Sequence, residues 1–191
     1  MPPQRTPRAT KLTIDEIVDE ALALIDEQGL DRFSMRRLGV ALGVDPMAIY
    51  HHLTNKQAVV THVVERVLRA IPVPNANAPW DQQVRNWAHS YRAVVTAHPE
   101  LTYETIVNPA AGGKAALSAT APLRDAIKLS GVAARTVGAY CDVIVDYVHG
   151  AALGAAAAAR MGSFDDAPFR RTFNIGIDAI IDGIRARTRR G

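Results

Sequence analysis

Apolar residues recur along this chain at helical spacing, and breakers cut the pattern into nine segments. Thr13 and Glu16 form a capping-box pair that opens a first helix, which Gly29 closes. Ser34 is a good N-cap, and Leu38 and Leu42 lie four apart on one face of a second, short helix. Gly43 sits where that helix needs a residue of positive φ, and Val44 is apolar enough to plug the corner. Asp45 then caps a third helix, with Pro46 at the first helical position, where a missing N–H costs nothing. Ile49 and Leu53 continue an apolar stripe on it. Gly39 stands mid-helix at a propensity cost of roughly 1 kcal/mol relative to Ala. It makes sense if a neighbouring helix crosses too closely there for a side chain. Two short helices joined by so tight a turn make a helix-turn-helix.

Beyond that unit the pattern stays helical. Asn55 opens a fourth helix running to Ile71, with Val59, Val63 and Val67 on one face. Pro72 to Pro79 is a linker by composition. A fifth helix carries Trp80, Val84, Trp87, Tyr91, Val94 and Val95, and Pro99 opens a sixth. The segment from Asn108 to Gly113 reads as a loop, and Lys114 begins a helix reaching about Ser130. The longest helix spans 132–161, a loop spans 161–168, and the last helix carries Phe169, Phe173, Ile177, Ile180, Ile181 and Ile184. There is no strand pattern. The expected fold is all-α, with residues 1–11 as a basic arm, 12–71 as a three-helix helix-turn-helix domain, 72–79 as a linker and 80–191 as a second helical domain.

Charge orients the first domain. Residues 12–31 hold seven acidic and no basic residues, whereas residues 32–71 hold six basic and two acidic ones, a net of +4. The overall charge of +3 is mild, so placement matters more than the total. Concentrated positive charge beside a helix-turn-helix is what phosphate binding needs, because releasing condensed counterions drives association. The arm adds Arg5, Arg8, Lys11 and three prolines without apolar periodicity. It is either a solvated tail or a segment that reaches a minor groove.

The run from Thr13 to Ile71 resembles the DNA-binding domain of the TetR (tetracycline repressor-like) transcription regulators. The match rests on Gly29, Leu30, Phe33, Ser34, Arg36, Leu38, Gly43 and Val44, and continues through Ile49, Tyr50, His51, His52, Leu53, Asn55 and Lys56. The resemblance implies that Tyr50 and Lys56 contact phosphates, and that Arg36, Met47, Ala48 and His51 reach base edges or phosphates, with Ser34 in the same set. Leu53 stands where the family more often has an aromatic residue. Met47 and Ala48 are less polar than is usual, which favours apolar contact with thymine methyls over bidentate base contacts.

The C-terminal region resembles the tetracycline-repressor type of second domain, through Trp87, His98-Pro99, Gly150 and the run Phe173 to Asp178. That implies a homodimer built on the two last helices as a four-helix bundle. Candidate interface residues are Val143, Tyr147, Gly150 and Gly154 on one face of the long helix, and Phe173, Ile177 and Ile180 on the last. An ordinary intramolecular core explains part of both stripes. The resemblance also implies a small-molecule pocket, with Trp87, Tyr91, Tyr103, Tyr140 and Cys141 as candidate lining and His98 and His149 as polar contacts. An effector there shifts the fourth helix and releases operator DNA.

Other function classes fit less well. The single cysteine, Cys141, excludes an internal disulfide and a zinc cluster. His51 and His52 point about 100° apart on a helix, so no metal is expected, nor any cofactor. Cys141 and His149 lie about 12 Å apart by helical rise, too far to exchange a proton directly. Ala110 to Lys114 lacks the upstream glycine and the following Ser or Thr of a P-loop. An enzyme is therefore not expected. The basic N-terminus has no apolar signal core, and residues 143–159 are interrupted by Asp146 and His149, so no membrane partner is expected and the location is cytoplasmic. A repressor of a palindromic double-stranded operator is the expectation. A non-specific architectural DNA-binding protein is the competing one.

Overall fold

The computed structural model describes residues 12–162 and 165–188. Among these residues it contains nine α-helices and no strand. The basic arm, residues 1–11, lies outside the described residues. The chain divides into two compact units between Arg66 and Val67. That division falls inside the fourth helix, upstream of the proline-rich segment at 72–79.

The first unit holds α1 (Ile14–Gln28), a 3-10 turn (Leu30–Arg32), α2 (Met35–Leu42), α3 (Pro46–Tyr50) and most of α4 (Lys56–Arg69). The capping box at its start is complete. Glu16 N–H donates to Thr13 Oγ1 at 3.2 Å, and Thr13 N–H donates to Glu16 Oε2 at 3.0 Å. Gly29 ends α1 with φ 84°, a region that favours glycine. Ile17, Ala21 and Ile25 of α1 are fully buried, as are Leu38, Ile49, Val59 and Val63. Each buried aliphatic side chain contributes roughly 1.5–3 kcal/mol of transfer free energy. Arg66 of α4 reaches Asp15 at 2.5 Å and Asp19 at 2.6 Å on α1. Both carboxylates are well exposed, so this clamp adds little to stability.

The second unit holds α5 (Trp80–Ala97), α6 (Pro99–Val107), α7 (Pro109–Leu129), α8 (Ala134–Arg160) and α9 (Asp166–Thr188). Helix α8 is central and packs against α5, α6, α7 and α9. By length and composition it could cross a membrane. Here it turns Val137, Cys141, Ile144, Val148, Ala152 and Ala155 into the core. Charge pairs link α5 to α9 in antiparallel order: Asp81 with Arg185, Arg85 with Asp178, and Arg92 with Asp166 at 2.6 Å.

The expected loop at 108–113 is different in the structure. Pro109 starts α7, because proline is preorganised for the first helical turn. The break comes at Gly113 alone, with φ 43° and ψ −129°. Pro122 lies within the same helix.

A candidate nucleic-acid interface

Local hydrogen bonds fix the two helices that would face DNA. Ser34 Oγ accepts from Arg37 N–H at 3.3 Å and starts α2. Gly43 ends it in the left-handed region, φ 69°, and Val44 N–H donates to Gly39 O at 2.9 Å. Asp45 Oδ1 accepts from Met47 N–H at 2.8 Å, and Pro46 takes the first position of α3. The close crossing expected at Gly39 is present. A Cβ there would stand 3.0 Å from the Val44 carbonyl oxygen and 3.1 Å from Pro46 Cγ. The neighbour is thus the turn itself and the start of α3.

One side of α3 faces inward and the other outward. Ile49 is fully buried and Leu53 nearly so. Met47 is 61% exposed and Tyr50 40%. His51 is exposed, while Ala48 and His52 are half-buried. Ser34 is half-buried and serves as a cap. The structure also separates the two adjacent arginines. Arg37 Nη1 donates to Gln28 Oε1 at 2.6 Å, whereas Arg36 is exposed with no partner among the described residues. Lys56 Nζ donates to the Leu30 carbonyl at 3.2 Å and lies 5.7 Å from the Phe33 ring centroid. Lys56 itself is exposed. Gln28 is a supporting residue that the sequence pattern does not single out, since it meets Arg37 from nine residues away; Leu30 and Phe33, part of the family pattern, are here the groups that hold Lys56.

In the second unit the seven candidate lining residues do not converge. Trp87 and Tyr91 are buried with ring centroids 4.8 Å apart. Tyr91 Oη lies 2.5 Å from His149 Nε2, and Trp87 Nε1 donates to the Ala119 carbonyl at 2.9 Å. Burial pushes the Tyr91 hydroxyl up, with a smaller contribution from Cys141. Burial also lowers His149, against an opposing pull from Asp146. The buried Cys141 thiol is raised by the same cause. Tyr103, by contrast, is 59% exposed and lines a shallow groove of about 280 Å³ with Glu100 and Arg160. Tyr140 is half-buried, and its hydroxyl accepts from Arg187. His98 sits at the junction of α5 and α6.

The candidate interface set also splits. Phe173 and Ile177 are buried within the second unit. Val143, Gly150 and Gly154 are exposed, and Tyr147 and Ile180 are half-buried. Tyr147 stacks on Phe173 at 5.6 Å and donates to the Thr172 carbonyl at 3.1 Å, lying across α9 where Gly176 has no side chain to block it. An apolar groove of about 630 Å³ runs between α8 and α9, lined by Tyr147, Gly150, Gly154, Phe169 and Thr172 among others. Among the described residues, no group of three His, Cys, Asp or Glu side chains is placed to hold a metal ion.

A capped, glycine-crossed helix pair with an outward recognition face defines a helix-turn-helix DNA-binding domain, carried here with a second, helical domain. Residues 17–63 match the family model described as bacterial regulatory proteins, tetR family. The matched segment, the helix-turn-helix domain, is that family's DNA-binding domain. It is 29% identical over 93 residues to the Tetracycline repressor protein class E of Escherichia coli, covering 46% of this chain and 43% of that protein. It is 30% identical over 115 residues to the HTH-type transcriptional repressor DrrR1 of Streptomyces coeruleorubidus, covering 59% and 42%. The chain therefore spans less than half the length of these relatives. The crystal structure of Mycobacterium smegmatis BioQ superposes with a TM-score of 0.78 at 25% identity, covering 92% of this chain and 99% of that one.

Proposed function

We propose that this chain is a cytoplasmic, non-enzymatic transcriptional repressor that binds a palindromic double-stranded operator as a homodimer and is released by a small-molecule effector. The observation that carries this reading is the division of α3, with Ile49 buried and Met47, Tyr50 and His51 outward, together with the exposed Arg36 of α2. Those outward groups suit a major groove, and the local net charge of +4 over residues 32–71 suits phosphates. The relatives named as repressors support repression rather than activation. Palindrome recognition requires two heads about 34–36 Å apart, and the exposed apolar groove between α8 and α9 offers a face for a second copy. The buried cluster of Trp87, Tyr91 and His149 carries the aromatic and polar groups that can orient a ligand. A ligand that prefers the non-binding conformation shifts the population away from operator-bound protein.

Selection of duplexes from a random pool by the purified chain, followed by footprinting and mass determination of the complex, tests this. The proposal expects one palindromic consensus and two subunits per duplex. Enrichment of no sequence would leave the architectural alternative standing.

A further inference from the structure

We propose that Met47 reads the 5-methyl group of one pyrimidine in each operator half-site, so that 5-methylcytosine is accepted as the same signal as thymine. This rests on the operator-binding reading above. Met47 is 61% exposed on the outer side of α3, while its backbone is pinned through the N–H bond to Asp45 and by Pro46 before it. A methionine so placed has no hydrogen-bond donor and only a weak acceptor. The major groove displays one apolar group, the methyl on C5 of thymine. The neighbours do not compete for that task. Ala48 is half-buried and short, Arg37 is engaged by Gln28, and Lys56 by Leu30 and Phe33. Tyr50, one turn on from Met47, keeps its ring on the same outward side and presents a hydroxyl. Met47 is thus the one large, wholly apolar side chain exposed on this helix.

The thioether also cannot distinguish what sits on C4. Thymine carries an oxygen there and 5-methylcytosine an amino group, but the two share the methyl at the same place in the groove. A cytosine at that position should therefore be read poorly when bare and better when methylated, which makes operator occupancy sensitive to C5 methylation.

The test uses the full chain and its selected duplex. Each thymine is replaced singly by uracil, and separately each T·A pair by C·G with or without the C5 methyl. Burying one methyl is worth about a fourfold change in Kd. The expected result is one position per half-site where uracil weakens binding about fourfold and where methylating the substituted cytosine recovers about the same factor. Met47→Ala should remove both methyl effects with its melting temperature retained, and Met47→Leu should keep them. Equal binding of uracil and thymine duplexes at every position would overturn the proposal, as would methyl effects that persist in Met47→Ala. Failure to select any duplex would instead sink the operator-binding reading, and this inference with it.

Discussion

Gly39 lies close against Pro46: a Cβ would stand 3.1 Å from Pro46 Cγ and 3.0 Å from the Val44 carbonyl oxygen, tighter than ordinary van der Waals contact. Both contacts belong to the turn that sets the angle between α2 and α3. Gly39→Val should therefore destabilise the first unit by about 1–3 kcal/mol, the usual range for overpacking. It should also weaken duplex binding by more than the lost stability alone explains, because α3 must tilt to accept the methyls. Urea denaturation and anisotropy titration check the two effects. Unchanged DNA affinity would show that the crossing angle does not matter to recognition.

Arg36 and Arg37 should differ sharply. Arg36 has no partner among the described residues, so Arg36→Ala should cost about 1–3 kcal/mol of binding and relax preference at the base it meets. Arg37 is held by Gln28. Arg37→Ala should cost less and leave sequence preference intact. Competition between selected and mismatched duplexes reads this directly, and an equal loss of discrimination in both variants would contradict it.

Much of this head is legible in the chain because its determinants are local. The caps at Thr13, Ser34 and Asp45 and the stop at Gly43 each depend on bonds spanning a few residues. The same logic misplaces the segment 108–113, where Gly112 is helical and only Gly113 breaks the helix. A helical glycine costs only about 1 kcal/mol, so a glycine pair is weaker punctuation than it looks. The placement of the ligand and interface sets was not legible, since periodicity gives the face of a helix but not its neighbour. Tyr103 and Tyr91 look alike in sequence, yet one is exposed and the other buried. Phe173 and Ile177 satisfy an interface stripe while packing inward. The pairing of Arg92 with Asp166 spans 74 residues and leaves no local trace.

That pair supports a further prediction. Arg92 is only 9% exposed and lies 5.4 Å from the Phe173 ring centroid, whereas Asp166 reaches solvent. Asp166→Asn should destabilise the second unit by about 1–3 kcal/mol, because it weakens the partner of a desolvated guanidinium. Adding Arg92→Met should restore part of the loss, since removing both charges also removes the uncompensated one. Thermal melts of the two variants decide it, and additive losses would refute it.

Stability should also fall on acidification. Burial lowers the pKa of His149, and burial with Arg92 and Arg85 lowers that of His89. Just below the unfolded value near 6.5 the unfolded chain binds the extra protons and the folded one does not. Stability is therefore complete above that value and drops as pH falls toward the depressed folded values. His149→Gln should flatten part of the melting-temperature change between about pH 7.5 and 5.5 and leave the part due to His89. A variant as pH-sensitive as the parent would remove His149 from the account.

Sequence-specific binding of a palindrome by paired helix-turn-helix heads is measured by a salt-dependent affinity titration. Binding to the selected duplex is compared with binding to a scrambled duplex of the same composition. The expected result is at least about a 1000-fold preference for the palindrome, two subunits per duplex, and affinity that falls steeply with salt on both. Equal affinity for the two duplexes at every salt concentration would contradict it.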